Sequence, residues 1–136
     1  MTLSVDDRLD ILDVLARADS AASRRDADAY LAYFTDDAVL DGAMGDHRGK
    51  ERLRQSVGPI WQAEGATSVH LTLNAVIDPI DDQPDKAVAT STLLILQGAS
   101  PVSILSVSTI VQLLVRVGTD WRIERRTVRP MTMEAG

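Results

Sequence analysis

The hydrophobic pattern of this chain changes period at Thr67, and that change bounds the folds open to it. Before it, apolar residues recur every three or four positions, as on one face of a helix; after it they alternate, as on a half-buried strand. Helices first and hairpin-linked strands afterwards predict an α+β fold, with helices on one face of an antiparallel sheet.

The helical part carries its own punctuation. Ser4, followed by Asp6 and Asp7, predicts a helix start, because a hydroxyl can accept from a free amide and carboxylates favour the positive end of the helix dipole. The core-facing stripe reads Leu9, Leu12, Leu15, Ala16, Asp19, Ala22 and Ser23, so it turns polar at Asp19. Asp26 is placed to cap a short second helix through Tyr30, Leu31 and Phe34, which Asp36 and Asp37 end ahead of a strand-like Ala38 to Asp41. Gly42, Gly45 and Gly49 punctuate a hairpin-like segment, with His47 as a solvated turn residue. Leu53, Val57, Ile60 and Trp61 then mark one face of a third helix, which Pro59 bends or restarts.

In the strand part, Val69, Leu71, Leu73, Ala75 and Ile77 share one face, and His70, Thr72, Asn74 and Val76 the other. This alternation sets His70 and Asn74 opposite the more apolar face, toward solvent or a dimer partner unless both faces are covered. Asp78 to Asp85, with Pro79 and Pro84, reads as a turn; Lys86 to Gln97, Val102 to Val117 and Trp121 to Val128 read as further strands. Arg122, Glu124, Arg125, Arg126 and Arg129 read as the mixed-charge exposed side of the last one. Residues 1–130 are expected to form one domain and 131–136 a frayed tail.

Composition narrows the chemistry. With 20 acidic against 14 basic side chains, the net charge of -6 has the wrong sign for a phosphate backbone or an anionic bilayer. No cysteine is present, which excludes disulfides, thiolate chemistry and cysteine metal sites, and two histidines cannot build a histidine-rich one. No metal site is expected. No stretch reaches the roughly 18 apolar residues of a membrane span, and the acidic start MTLSVDDRLD does not read as a signal peptide, so a cytoplasmic location is expected.

Three segments carry a resemblance: ASRRDADAYLAYFTDDAVLDGAMGDHRGKERLR, then SVHLTLNAVID, then DWRIERRTVRP. Their order, with an aspartate pair, a glycine turn, a G-K-E-x-L helix start, an H-x-x-x-N strand and a terminal W-R-I strand, resembles the nuclear transport factor 2-like superfamily and its SnoaL-like group. The resemblance implies a cone-shaped barrel, with about three N-terminal helices on a strongly curved, mostly antiparallel sheet around a pocket, commonly as a homodimer. It does not fix a function, because isomerases, dehydratases, cyclases, epoxide hydrolases and plain binding domains share this fold.

Two residues head the candidate chemistry. His70 lies on a predicted strand, and an imidazole can both take and give a proton near neutral pH. The resemblance implies that the histidine of the H-x-x-x-N strand lines the pocket and acts as acid and base. Asp19 interrupts an apolar stripe, where a lone carboxylate is costly. Two readings of it stand: a carboxylate that reaches backbone amides or an arginine, and a catalytic group at the pocket that orients His70. Asn74 is a candidate to hold a substrate oxygen or to orient His70. Ser23, Tyr30, Trp61, Ser108 and Gln112 are the further candidate substrate contacts, with Ser106 beside Ser108 on the third long strand.

Departures from the family's patterns matter as well. The isomerase base aligns with Gly42, one residue from Asp41, and the acid of SnoaL-type cyclases falls near the neutral Gln112. Ketosteroid isomerase chemistry and straightforward cyclase chemistry are therefore disfavoured. The leading expectation is a cofactor-independent lyase or isomerase acting on a hydrophobic, oxygenated ring compound. A non-catalytic small-molecule-binding or carrier protein is the alternative, and a dimerising interaction module a third, with neither nucleic acid nor membrane as partner.

Overall fold

The computed structural model describes residues 2–42 and 45–131. Helix α1 (Val5–Ser23) begins where the sequence places it, with the Ser4 hydroxyl accepting from the Asp7 amide at 3.0 Å. Helix α2 (Ala27–Leu31) is capped in the same way by Asp26, which accepts from the Ala29 amide at 3.0 Å. It stops before Phe34. That residue opens β1 (Phe34–Gly42), so Asp36 and Asp37 lie within a strand rather than ending a helix. After β2 (Gly45–Arg48), helix α3 (Lys50–Glu64) runs unbroken through Pro59, which is exposed, so the missing donor leaves its acceptor on the solvent side.

Strands β3 (Ser68–Ile80), β4 (Gln83–Gln97), β5 (Ser103–Val117) and β6 (Asp120–Pro130) complete a six-stranded sheet in the order β2-β1-β6-β5-β4-β3. Every pairing is antiparallel except that of β1 with β6. The broad turn expected over Asp78 to Asp85 narrows to Asp81 and Asp82, because Pro79 lies on an edge strand, where a missing donor is tolerated. Of the tail expected at 131–136, residues 132–136 lie outside the described ones.

The helices cover the concave face, and the core between them holds Ile11, Leu15, Leu31, Phe34, Leu53, Leu114, Trp121 and Ile123. The stripe of α1 is rotated from the one read in sequence. Ile11, Leu15, Ala18 and Ala22 are buried, whereas Leu9 and Leu12 are 58% and 42% exposed. Asp19 does stay on the buried side.

Helix α1 also seals an edge. The amides of His70 and Thr72 point away from β4, and Ser23 Oγ and Asp19 Oδ2 accept from them at 2.9 Å and 2.7 Å. Arg8 donates to the Ile77 carbonyl at 2.8 Å, and Arg25 to that of Ser68 at 3.0 Å. Side chains of α1 and of Arg25 just after it thus occupy backbone groups that would otherwise template pairing with another chain.

Before its bulge the two faces of β3 are opposite to the expectation, whereas Ile77 beyond it is buried in the core as the alternation placed it. Ser68 and His70 point inward and are buried, while Val69, Leu71 and Leu73 lie outside and are more than a third exposed. The polar residues can be buried because polar side chains of α1 and α3 meet them there, so hydrophobicity alone misjudges the facing.

Candidate active site

A partly open cavity of about 230 Å³ lies between α3 and the inner face of the sheet. Its apolar wall is Leu40, Val57, Ile60, Trp61, Leu93, Ile95 and Val128, and its polar groups are Tyr30, His47, Glu64, His70, Ser106, Ser108 and Arg126. The strands set this arrangement by register: His70, Ile95 and Ser106 lie in one row across β3, β4 and β5, and Thr72, Leu93 and Ser108 in the next. A larger depression of about 830 Å³ along the start of α3 is an open surface groove lined mainly by charged side chains, including Arg48, Lys50, Arg52 and Arg54.

His70 and Glu64 form the centre of the site. Nε2 of His70 lies 2.6 Å from Glu64 Oε2, and both side chains are largely buried. A carboxylate accepts only, so a neutral imidazole in this pair carries its proton on Nε2 and its lone pair on Nδ1. Nδ1 has no hydrogen-bond partner among the described residues. Ser68 adds a second donor to the same carboxylate oxygen, at 3.2 Å.

Arg126 and Tyr30 form the second polar group. Arg126 is 3% exposed, and its Nη1 donates to the Tyr30 hydroxyl oxygen at 3.2 Å. That leaves the phenolic hydrogen free to be donated elsewhere. Trp61 meets the Tyr30 ring edge-on, with centroids 5.2 Å apart. Burial pushes the Tyr30 phenol above its usual range; nearby Arg126 opposes this more weakly, and the Asp19 charge adds to it.

The sign of the linkage follows from that shift. A phenol whose folded-state pKa is raised stabilises the fold fully below its unfolded-state value, about 10, and loses that contribution as pH rises through the folded-state value. Tyr30 is therefore expected to show phenolate absorbance only as the fold opens in alkali. Spectrophotometric titration of the protein and of Tyr30→Phe reads this directly; a Tyr30 component ionising at ordinary phenol pH with the fold intact would refute it.

Several residues expected at the site are placed elsewhere. Asp19 does not pair with His70. Its Oδ2 accepts from the Thr72 amide, and its Oδ1 makes no hydrogen bond and lies 3.7 Å from Arg126 Nη2. The geometry is that of the carboxylate reaching backbone and arginine. Asn74 sits at a β-bulge, where pairing slips between Leu73 and Val76; its φ is +58° and its side chain is exposed, away from the cavity. Ser23 supports the His70 backbone instead of lining the cavity. Gln112 is buried opposite Arg126 in register but is not part of the cavity wall. Tyr30, Trp61, Ser106 and Ser108 do line it, as does His47, which was expected in solvent.

Glu64 and Arg126 are the residues that sequence reasoning missed. Glu64 had a signal: Leu53, Val57 and Trp61 continue at helical spacing to Glu64, so the stripe of α3 turns polar at its end as that of α1 does at Asp19. Arg126 had none. Strict alternation from Trp121 and Ile123 puts Arg125 inside, but a bulge opposite Leu113 and Leu114 adds a residue and turns Arg126 inward.

Among the described residues, no group of three or more His, Asp or Glu side chains converges as a metal site would, and no helix is long and apolar enough to cross a membrane.

Known proteins agree with this architecture. The chain aligns over 96% of its length with 96% of a protein of unknown function and cystatin-like fold from Nostoc punctiforme, at 24% identity and a TM-score of 0.87. An NTF2-like protein with a cystatin-like fold from Novosphingobium aromaticivorans matches at 21% identity and a TM-score of 0.84, covering 96% of this chain and 86% of that one. ActVI-ORFA from Streptomyces coelicolor matches at 16% identity and a TM-score of 0.82, covering 93% and 96%. At these identities the likeness is one of fold. No curated protein matches by sequence. The family model of the SnoaL-like domain matches residues 3–127, nearly the whole chain, and with the helix-covered curved sheet and its cavity this places the protein in the SnoaL-like domain family.

Proposed function

We propose that this protein is a cofactor-independent acid–base catalyst, a lyase or isomerase of the dehydratase type. The observation that carries this reading is the 2.6 Å His70–Glu64 pair on the wall of a cavity that also holds Arg126 and Tyr30 among a mainly apolar lining. Its substrate in this reading is a hydrophobic, oxygenated ring compound: the cavity lies below the roughly 300–1,000 Å³ of sites for drug-sized ligands, so the compound is compact, while the apolar wall suits a ring and Arg126 and Tyr30 suit an oxygen on it.

In this reading His70 Nδ1 takes a proton from carbon or hydroxyl, and Glu64 stabilises the resulting imidazolium through Nε2. The Arg126 guanidinium and the Tyr30 hydroxyl stabilise the charge that develops on a substrate oxygen. The proton then returns to a leaving hydroxyl, which departs as water, or to another carbon of the same molecule. Glu64 takes the part first expected of Asp19, and Arg126 with Tyr30 that of Asn74.

The test is incubation of the protein in deuterated water with a panel of cyclic hydroxy-ketones, followed by NMR and mass spectrometry. Deuterium incorporation beside the carbonyl, or loss of water, is the expected result. A ligand that binds in the cavity and returns unlabelled and intact would overturn catalysis and make the protein a carrier.

We also propose a homodimer, formed through the outer face of the sheet. Val69, Leu71, Leu73, Val76 and Ile104 stand exposed there, and an apolar patch of this kind supports association. The buried position of His70 beside the cavity speaks against a purely interaction-module reading.

A further inference from the structure

Glu64 is the last residue of α3, and helix ends fray, so the helix by itself does not hold that carboxylate in one rotamer. What holds it comes from the other side of the chain. Arg25 follows the end of α1 with φ at +61°, a left-handed conformation uncommon for a long side chain. This reversal sends its guanidinium between the ends of α1 and α3 and the start of β3. There it donates to the carbonyls of Ser23 at 3.1 Å and Ser68 at 3.0 Å, to that of Gly65, and to Ser68 Oγ at 2.6 Å.

The direction of each bond is forced. A guanidinium only donates, so Ser68 Oγ accepts from Arg25, and the one hydroxyl hydrogen is left for Glu64 Oε2 at 3.2 Å. That oxygen also faces His70 Nε2 at 2.6 Å. Ser68 is 2% exposed, so bulk water does not substitute for its hydroxyl.

We infer that Arg25 and Ser68 are positioning residues of the acid–base pair: through the chain Arg25, Ser68, Glu64, His70 they fix the Glu64 rotamer and thereby the tautomer that leaves the His70 Nδ1 lone pair free. This inference rests on the acid–base reading of His70 and Glu64. The competing account is that Arg25 merely ties down the loop after α1.

The test uses the full chain labelled with 15N in its histidine rings, with His47→Gln to assign them. The ring 15N shifts report which nitrogen carries the proton, and exchange of the ring N–H with solvent reports how firmly it is bonded. In the parent protein His70 is expected as the Nε2–H tautomer with slowed exchange. Ser68→Ala and Arg25→Ala should each yield a mixed tautomer and speed that exchange on the order of tenfold, the scale of a lost hydrogen bond to a charged group. Arg25→Lys, which keeps a donor, should recover part of the effect.

Arg8→Ala is the structural control, because Arg8 also bonds the edge of β3, at Ile77, without touching this chain of contacts. It should leave the His70 ring unchanged. Parent-like spectra for both Ser68→Ala and Arg25→Ala, or an equal effect of Arg8→Ala, would overturn the positioning role. If Glu64→Gln also leaves the ring as in the parent, the acid–base pair itself fails; if Glu64→Gln alters it, only the role of Arg25 and Ser68 does.

Discussion

Replacing His70 with asparagine is expected to lower turnover of the cavity's substrate by about 100- to 10,000-fold, the usual contribution of a positioned acid and base, while changing ligand affinity far less. The asymmetry follows from the geometry. Most of the cavity wall is apolar and comes from β1, α3, β4 and β6, so binding area survives the substitution. Proton transfer does not survive it, because an asparagine amide cannot take up a proton and Glu64 loses the imidazole it is paired with. Glu64→Gln should approach the same loss, since an amide can either donate to or accept from the ring and no longer enforces one tautomer. Activity assays beside ligand titrations by NMR would check both variants. Retained turnover in either, with a folded protein, would remove that residue from the mechanism.

Much of the fold was open to reading because it depends on local periodicity and capping. The Ser4 and Asp26 caps, the change of period before β3 and the glycine-marked β1–β2 hairpin are properties of neighbouring residues. The site was less readable because it depends on phase. One bulge in β6 exchanges Arg126 for Arg125 on the inner face, and another in β3 turns Asn74 outward. Hydrophobicity was also a poor guide to the facing of the first half of β3, where Ser68 and His70 meet Arg25 and Glu64 rather than an apolar layer. Asp19 teaches the complementary lesson. A polar break in an apolar stripe correctly signalled a buried carboxylate with a partner, and the partners were the Thr72 amide and Arg126. The same signal at Glu64, read with equal weight, points to the residue that does meet His70.

Arg126→Leu should produce the largest loss of stability among the substitutions at the site, about 3–5 kcal/mol, or a fall in Tm of roughly 10–15 °C. Asp19 and Arg126 have side chains only 10% and 4% exposed, so removing the cation leaves a carboxylate out of water with just the Thr72 amide to stabilise it. Their separation of 3.7 Å lies beyond a hydrogen bond, which makes the mutual attraction modest while the desolvation of each group stays large. The cost of breaking such a pair therefore exceeds what the pair contributes. The double variant Asp19→Leu/Arg126→Leu should accordingly recover most of the loss, because no buried charge is then left alone. It should fall short of the parent by about 1–3 kcal/mol, since the Thr72 amide at the sheet edge would have no acceptor. Thermal or denaturant unfolding of the two single variants and the double variant closes the cycle. A double variant as unstable as the sum of the singles would mean that Asp19 and Arg126 act independently, with Asp19 serving the sheet edge alone.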